Sequence, residues 1–71
     1  MKRKELLEDI QNFFKVDGLT PSTGIGDIPQ WDSLGHLALF MALEEKYGKK
    51  FSPEEMTSAK NVADIDRLLD E

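Results

Sequence analysis

Cysteine is absent from this 71-residue chain, and histidine, tryptophan and tyrosine each occur only once. Without cysteine there is neither a disulfide framework nor a thiolate zinc site, and a single histidine cannot build a histidine-rich metal site. A chain this short buries only a modest fraction of its surface, so we expect no deep active-site cavity. The sequence therefore predicts one small domain over residues 1–71, stabilised by its apolar core alone.

Basic residues are also few, with 9 lysines and arginines against 14 acidic residues and a net charge of −5. This charge has the wrong sign for binding the phosphates of DNA or RNA. No apolar run approaches the roughly 20 residues that span a bilayer, and the opening MKRKELLEDIQNFF carries acidic residues where a signal peptide is apolar. We therefore expect a cytoplasmic monomer that binds neither nucleic acid nor the membrane interior, with proteins as its partners.

Helical periodicity appears first between about Lys2 and Lys15. The apolar positions there follow the spacing of an amphipathic helix; they are Leu6, Leu7, Ile10, Phe13 and Phe14. From Val16 to Asp32 the periodicity disappears, and glycines and prolines interrupt the chain as in an irregular loop. A loop of this length is uncommon unless its own side chains pack or it has a function. Its apolar side chains are Leu19, Ile25 and Ile28.

A second helix is predicted from Asp32 or Ser33 to about Tyr47, with Asp32 as its N-cap and Gly48 just past its end. At about 100° per residue this helix has two apolar sides. One side consists of Leu39, Phe40, Leu43 and Tyr47, and the nearly opposite side of Leu34, Leu37, Ala38 and Met41. Because so small a chain has few elements to cover both sides, we expect the second side to be partly exposed as a docking surface.

Two further helix starts follow. Ser52, Pro53 and Glu55 form a complete capping-box signal for a short helix that ends near Ser58, and Asn61 caps a last helix. No strand pattern occurs, so the predicted fold class is all-α: a small four-helix bundle with three main helices, one short helix and a long first loop.

The predicted core is Leu6, Ile10, Phe13, Leu39, Phe40, Leu43, Tyr47, Phe51, Val62, Ile65 and Leu68. The predicted solvated acidic face includes Asp64, Asp66, Asp70 and Glu71.

Chemically distinctive residues concentrate in the stretch WDSLGH, from Trp31 to His36. A first-turn serine can bear an anionic group next to unpaired helix amides, although Asp32 and Ser33 can also merely cap the helix. Asp32, Ser33 and His36 match a catalytic triad by name, but no second loop offers an oxyanion hole, so we predict no enzymatic activity. His36 is expected to be partly buried and hydrogen-bonded. Trp31 is expected either to pack on the first turn as a hydrophobic staple or to contact a partner.

The chain resembles the acyl carrier proteins over essentially its whole length. The resemblance lies in DSL at the start of an apolar helix, in MALEEKYG further along it, and in the short acidic helix that follows. It implies that Ser33, flanked by Asp32 and Leu34, carries phosphopantetheine from coenzyme A, attached by a phosphopantetheinyl transferase. It also implies that acyl or aminoacyl thioesters on this arm are presented to acyl-loading and acyl-processing enzymes. The implied docking residues are Leu34, Leu37, Met41, Glu44 and Glu45.

The chain differs from the carriers of fatty acid synthesis at two positions. Those carriers typically have acidic residues two and five positions after the serine, where this chain has Gly35 and Ala38. The resemblance therefore favours a carrier of a special pathway, such as polyketide, mixed peptide or modified-lipid assembly. Since glycine costs up to about 1 kcal/mol of helix propensity, we expect replacement of Gly35 to be tolerated. The alternative from another class is an unmodified helical adaptor that binds a protein through the same apolar side.

Overall fold

Four α-helices make up the regular structure of the computed structural model, which describes residues 3–70. They are α1 (Lys4–Phe14), α2 (Ser33–Tyr47), α3 (Pro53–Ser58) and α4 (Val62–Leu69). Within residues 3–70 there is no strand, only an isolated bridge between Gly24 and Asn61. This confirms the all-α prediction with three longer helices and one short one; the predicted start at Lys2 lies outside the described residues. None of these four helices is both long and apolar enough to cross a membrane.

The helix ends are fixed by local hydrogen bonds of the predicted kinds. The Asp32 carboxylate accepts a bond from the Gly35 amide at 2.8 Å, so α2 begins at the next residue. Ser52 and Glu55 form both bonds of a capping box at α3. These bonds satisfy amides that the first turn of a helix leaves unpaired. The confirmed helix-end predictions are Asp32, Ser52 and Asn61 at the starts, and Gly48 at the end of α2.

The core lies where α1, α2 and α4 meet, and long-loop side chains close it. Its largest fully buried side chains are Trp31, Phe40, Leu6, Ile10, Leu39, Ile65 and Val62. One core prediction, Phe13, is wrong, and two others, Leu68 and Tyr47, are only half-buried against the core. Phe13 is 40% exposed, because the buried residues of α1 are spaced four apart, at Leu6, Ile10 and Phe14. Leu68 is only half-buried, because α4 turns Leu69 inward instead. Tyr47 is also half-buried and packs against the core.

The long loop between α1 and α2 packs by its own side chains, as the sequence predicts. Leu19 is buried, and Ile25 and Ile28 lie half-buried against the core. The Ile25 amide donates a 2.9 Å bond to the carbonyl of Lys60, in the segment between α3 and α4. A Cβ atom on Gly24 would lie 2.0 Å from that carbonyl oxygen. Glycine is therefore required for this approach, which holds the loop against the α3–α4 connection.

One acidic side chain is buried, contrary to the predicted solvated face. Asp66 is only 5% exposed and accepts a 3.1 Å bond from the Arg3 amide at the start of α1. This amide has no partner within its helix, so the packing of α1 against α4 gives the carboxylate a structural role. Asp64 is half-buried and pairs with Arg67. Glu71 lies outside the described residues.

Candidate functional site

Ser33 is the first residue of α2, and its side chain is exposed. The fifteen-residue helix carries no acidic residue in its first turn, and the Asp32 cap satisfies only the Gly35 amide. The amides of Ser33 and Leu34 cannot bond within the helix, because its first turn has no preceding carbonyls in register. An anion attached to the Ser33 hydroxyl would therefore lie at the favourable end of the helix dipole.

His36 joins three parts of the fold next to this serine. Its Nδ1 accepts a 2.8 Å bond from the indole Nε1–H of Trp31, and its Nε2 lies 2.8 Å from the carbonyl oxygen of Met56 in α3. Because Nδ1 is an acceptor, the ring proton is on Nε2, which donates to Met56. His36 is 7% exposed and Trp31 fully buried. The imidazole is thus hydrogen-bonded as predicted, and Trp31 acts as the staple rather than as a surface aromatic.

The three residues that match a triad by name are not assembled as one. The Asp32 carboxylate bonds to a backbone amide, and both nitrogens of His36 bond to Trp31 and Met56. In the described part of the chain no hydrogen bond joins Ser33 to either side chain. Neither Asp32 nor His36 is therefore positioned as a general base for the Ser33 hydroxyl.

A groove of about 580 Å³ lies between α2 and α3, with Ser33 at its edge. Its lining residues are Ile25, Ser33, His36, Leu37, Pro53, Met56, Thr57 and Lys60. The sequence did not predict this groove, because its walls come from a loop, α2, α3 and the segment after α3. No local pattern in the sequence signals it; in the structure the six-residue α3 has no buried residue, so its apolar side chains are only partly covered.

Leu34, Leu37 and Met41 form an apolar surface along α2, called the α2 stripe below. Their side chains are 78%, 51% and 66% exposed, respectively. This confirms the prediction that the second apolar side of the helix is partly exposed. Leu37 belongs to both the stripe and the groove wall. The structure therefore brings an exposed hydroxyl, an apolar groove and an apolar stripe together at one end of α2.

Glu44 and Glu45, the two glutamates among the expected docking residues, differ in exposure and in hydrogen bonding. Glu45 is exposed, whereas Glu44 is half-buried and its Oε2 accepts a 2.8 Å bond from the Phe51 amide. Glu44 therefore links α2 to the segment before α3. Of this pair, Glu45 has the side chain that is free to meet a basic partner.

The expectation that replacement of Gly35 is tolerated, which came from helix propensity, is wrong. A Cβ atom at this position would lie 2.3 Å from the carbonyl oxygen of Gln30 and 3.3 Å from the ring of Phe14. Any larger residue would force the loop backbone away from the first turn of α2. Replacement of Gly35 is therefore not tolerated without a shift, whereas Ala38 is exposed.

No model of a known protein family matches the chain, and no curated protein matches it closely enough to serve as a relative. The indications of function are therefore those of the residues themselves. They are the exposed hydroxyl of Ser33 at a helix start, the groove that begins beside it, and the uncovered α2 stripe.

Proposed function

We propose that this protein is an acyl carrier protein that carries acyl or aminoacyl groups as thioesters on a phosphopantetheine arm attached to Ser33. The observation that carries the proposal is the position of Ser33. Its hydroxyl is exposed at the first residue of α2, where the groove and the α2 stripe meet. An arm fixed there has solvent on one side, an apolar groove on the other, and a surface beside it for a partner enzyme.

Attachment of the arm would require an external transferase. The Ser33 Oγ would form a phosphodiester as the pyrophosphate bond of coenzyme A breaks, releasing 3′,5′-ADP, while the hydroxyl proton passes to a base. Asp32 and His36 are committed to other hydrogen bonds, so the transferase must supply that base. The attached group contributes the terminal thiol on which thioesters form.

The surroundings of Ser33 fit this group. First-turn amides and the helix dipole stabilise a phosphodiester anion, typically by 0.3–1 kcal/mol at an exposed site. Apolar side chains of Leu37, Pro53 and Met56 line the groove and can cover the apolar parts of an arm or its cargo. Because Ser33 is exposed, the arm can also leave the groove to reach an enzyme.

The α2 stripe fits the docking of partner enzymes. Exposed apolar side chains gain free energy when a partner covers them, and they lie beside the serine that the enzymes must reach. The lack of carboxylates at Gly35 and Ala38 reduces electrostatic steering toward strongly basic enzymes. This favours enzymes of a special pathway over those of fatty acid synthesis as partners.

The proposal is tested by intact mass after incubation with coenzyme A and a broad-specificity phosphopantetheinyl transferase. We expect the wild type to gain the mass of one phosphopantetheine group. Ser33→Ala should gain nothing, whereas Ser22→Ala, which removes an exposed loop serine, should be modified like the wild type.

Two outcomes would contradict the proposal. A mass gain that persists in Ser33→Ala would place the attachment on another residue. No gain in the wild type, under conditions that modify a known carrier, would favour the adaptor instead. The observation on which the adaptor depends is the exposed α2 stripe, which could bind a protein without any modification.

A further inference from the structure

The groove beside Ser33 has few polar groups left to bind a ligand. Both ring nitrogens of His36 are used, by Trp31 and by Met56. The Thr57 hydroxyl donates its proton to the Pro53 carbonyl at 2.8 Å. Apart from Ser33, the proposed attachment point, Lys60 is then the one polar side chain with an uncommitted donor among the described residues of the lining.

Lys60 is also the one formally charged residue that lines the groove within residues 3–70. Its ammonium group forms no ion pair within residues 3–70, although acidic residues outnumber basic ones by 14 to 9. Glu54 borders a neighbouring depression with Lys60 but is not paired with it there. The backbone of Lys60 is held in place, since its carbonyl accepts from Ile25 and its amide donates to Asp64.

We propose that the groove selects an acyl cargo that bears a carboxylate, which pairs with the Lys60 ammonium while its methylene groups lie against Leu37 and Met56. This inference rests on the proposed carrier function. Unpaired polar atoms of a ligand would find no partners on the apolar walls and would lose their hydration there. An anionic group is different, because Lys60 offers it an opposite charge in a protein whose net charge of −5 disfavours anions elsewhere.

A second anion could meet the same lysine, namely the phosphodiester of the arm itself. The two sources are separated by attaching arms that differ only in their cargo. We would load Ser33 with an arm bearing a six-carbon adipoyl group, which ends in a carboxylate, or the uncharged hexanoyl group of equal length. The unacylated arm serves as the third form.

The readout is the rate at which hydroxylamine cleaves the thioester, relative to the same acyl group on free pantetheine. This ratio cancels the intrinsic reactivity of each acyl group. Since exposed ion pairs are weak, we expect adipoyl to be protected about two- to fivefold more than hexanoyl at low salt. Lys60→Gln should abolish the difference, while Lys4→Gln, which removes an exposed charge at the start of α1, should preserve it.

Nuclear magnetic resonance locates the cargo. The amide signals of Met56 and Thr57 should shift with adipoyl but much less with hexanoyl or the unacylated arm. Equal protection of both cargoes, or a difference that survives Lys60→Gln, would overturn the inference while leaving the carrier function intact. Lys60-dependent shifts of equal size in all three forms would assign Lys60 to the phosphodiester and also overturn it. Failure of Ser33 to accept any arm would refute the carrier function and the inference together.

Discussion

The hydrogen atom that Gly35 carries in place of a side chain lets the Gln30 carbonyl oxygen approach the first turn of α2. The place of a Cβ atom is only 2.3 Å from that oxygen, which belongs to the backbone and cannot rotate away. The turn that bears Ser33 and the end of the long loop therefore share a contact that any other residue would disrupt. The contact between Gly35 and Gln30 thus holds the backbone at Ser33 in place, while the Ser33 side chain stays exposed.

We expect Gly35→Ala to lower the free energy of unfolding by roughly 1–2 kcal/mol, because overpacking outweighs the gain in helix propensity. Urea denaturation would measure this. Ala38→Gly is the matched control at an exposed position of the same helix, and should cost about 0.5–1 kcal/mol through backbone entropy alone. A Gly35→Ala variant more stable than the wild type would show that the close approach does not constrain α2.

At the scale of the element, α2 is the helix that connects stability to function. One side presents Leu39, Phe40 and Leu43 to the core, all of them at most 2% exposed. The nearly opposite side is the α2 stripe, whose side chains are all more than half exposed. A substitution on this helix should therefore change either folding or docking according to the side on which it falls.

Leu43→Ala and Met41→Ala test this division. Leu43→Ala should destabilise the protein by about 2–5 kcal/mol, the usual range for a buried leucine. Met41, which is 66% exposed, should lose only about 0.5 kcal/mol or less when changed to alanine. If the carrier function is correct, Met41→Ala should still slow modification of Ser33 or loading of the arm. Thermal unfolding and modification rates would be compared; a large loss of stability for Met41→Ala with unchanged rates would contradict the division.

At the scale of the whole molecule, a polar cluster joins the first two helices. The Tyr47 hydroxyl donates a 2.6 Å bond to Asp9 Oδ2, and Lys46 pairs with the same carboxylate. Desolvation raises the pKa of Tyr47 well above its usual range, and the hydrogen bond to Asp9 and the negative charges of Asp9 and Glu5 raise it further. The charge of Arg3 opposes these effects.

This raised pKa gives the folding stability a defined pH dependence. Above the ordinary tyrosine pKa of about 10, the unfolded chain loses the phenol proton while the folded chain keeps it. The contribution of Tyr47 is therefore complete below that pH and declines as the pH rises above it. The melting temperature should fall less steeply between about pH 9.5 and 11.5 in Tyr47→Phe than in the wild type. Lysines titrate in both proteins, so the difference in slope isolates Tyr47; equal slopes would mean that the bond to Asp9 does not perturb it.

Features that depend on near neighbours along the chain are predictable from the sequence. The helices follow from apolar spacing, and their ends from caps such as Asp32 and Ser52, whose partners lie three residues away. Those interactions form within one helical turn, so the residues that make them can be recognised in the sequence. The same reasoning predicted a partly exposed second side of α2, because a chain this short has too few elements to cover it.

Only the folded structure reveals the contacts between residues that are distant in sequence. It placed Phe14 rather than Phe13 in the core, buried Asp66 against the start of α1, and made Gly35 necessary by bringing the Gln30 carbonyl to it. It also brought Lys60 to the groove beside Ser33, from a segment that no local pattern connects to α2. The physical reason is the same in each case: the contact depends on how helices and loops pack against one another, and the periodicity of one element carries no information about that packing.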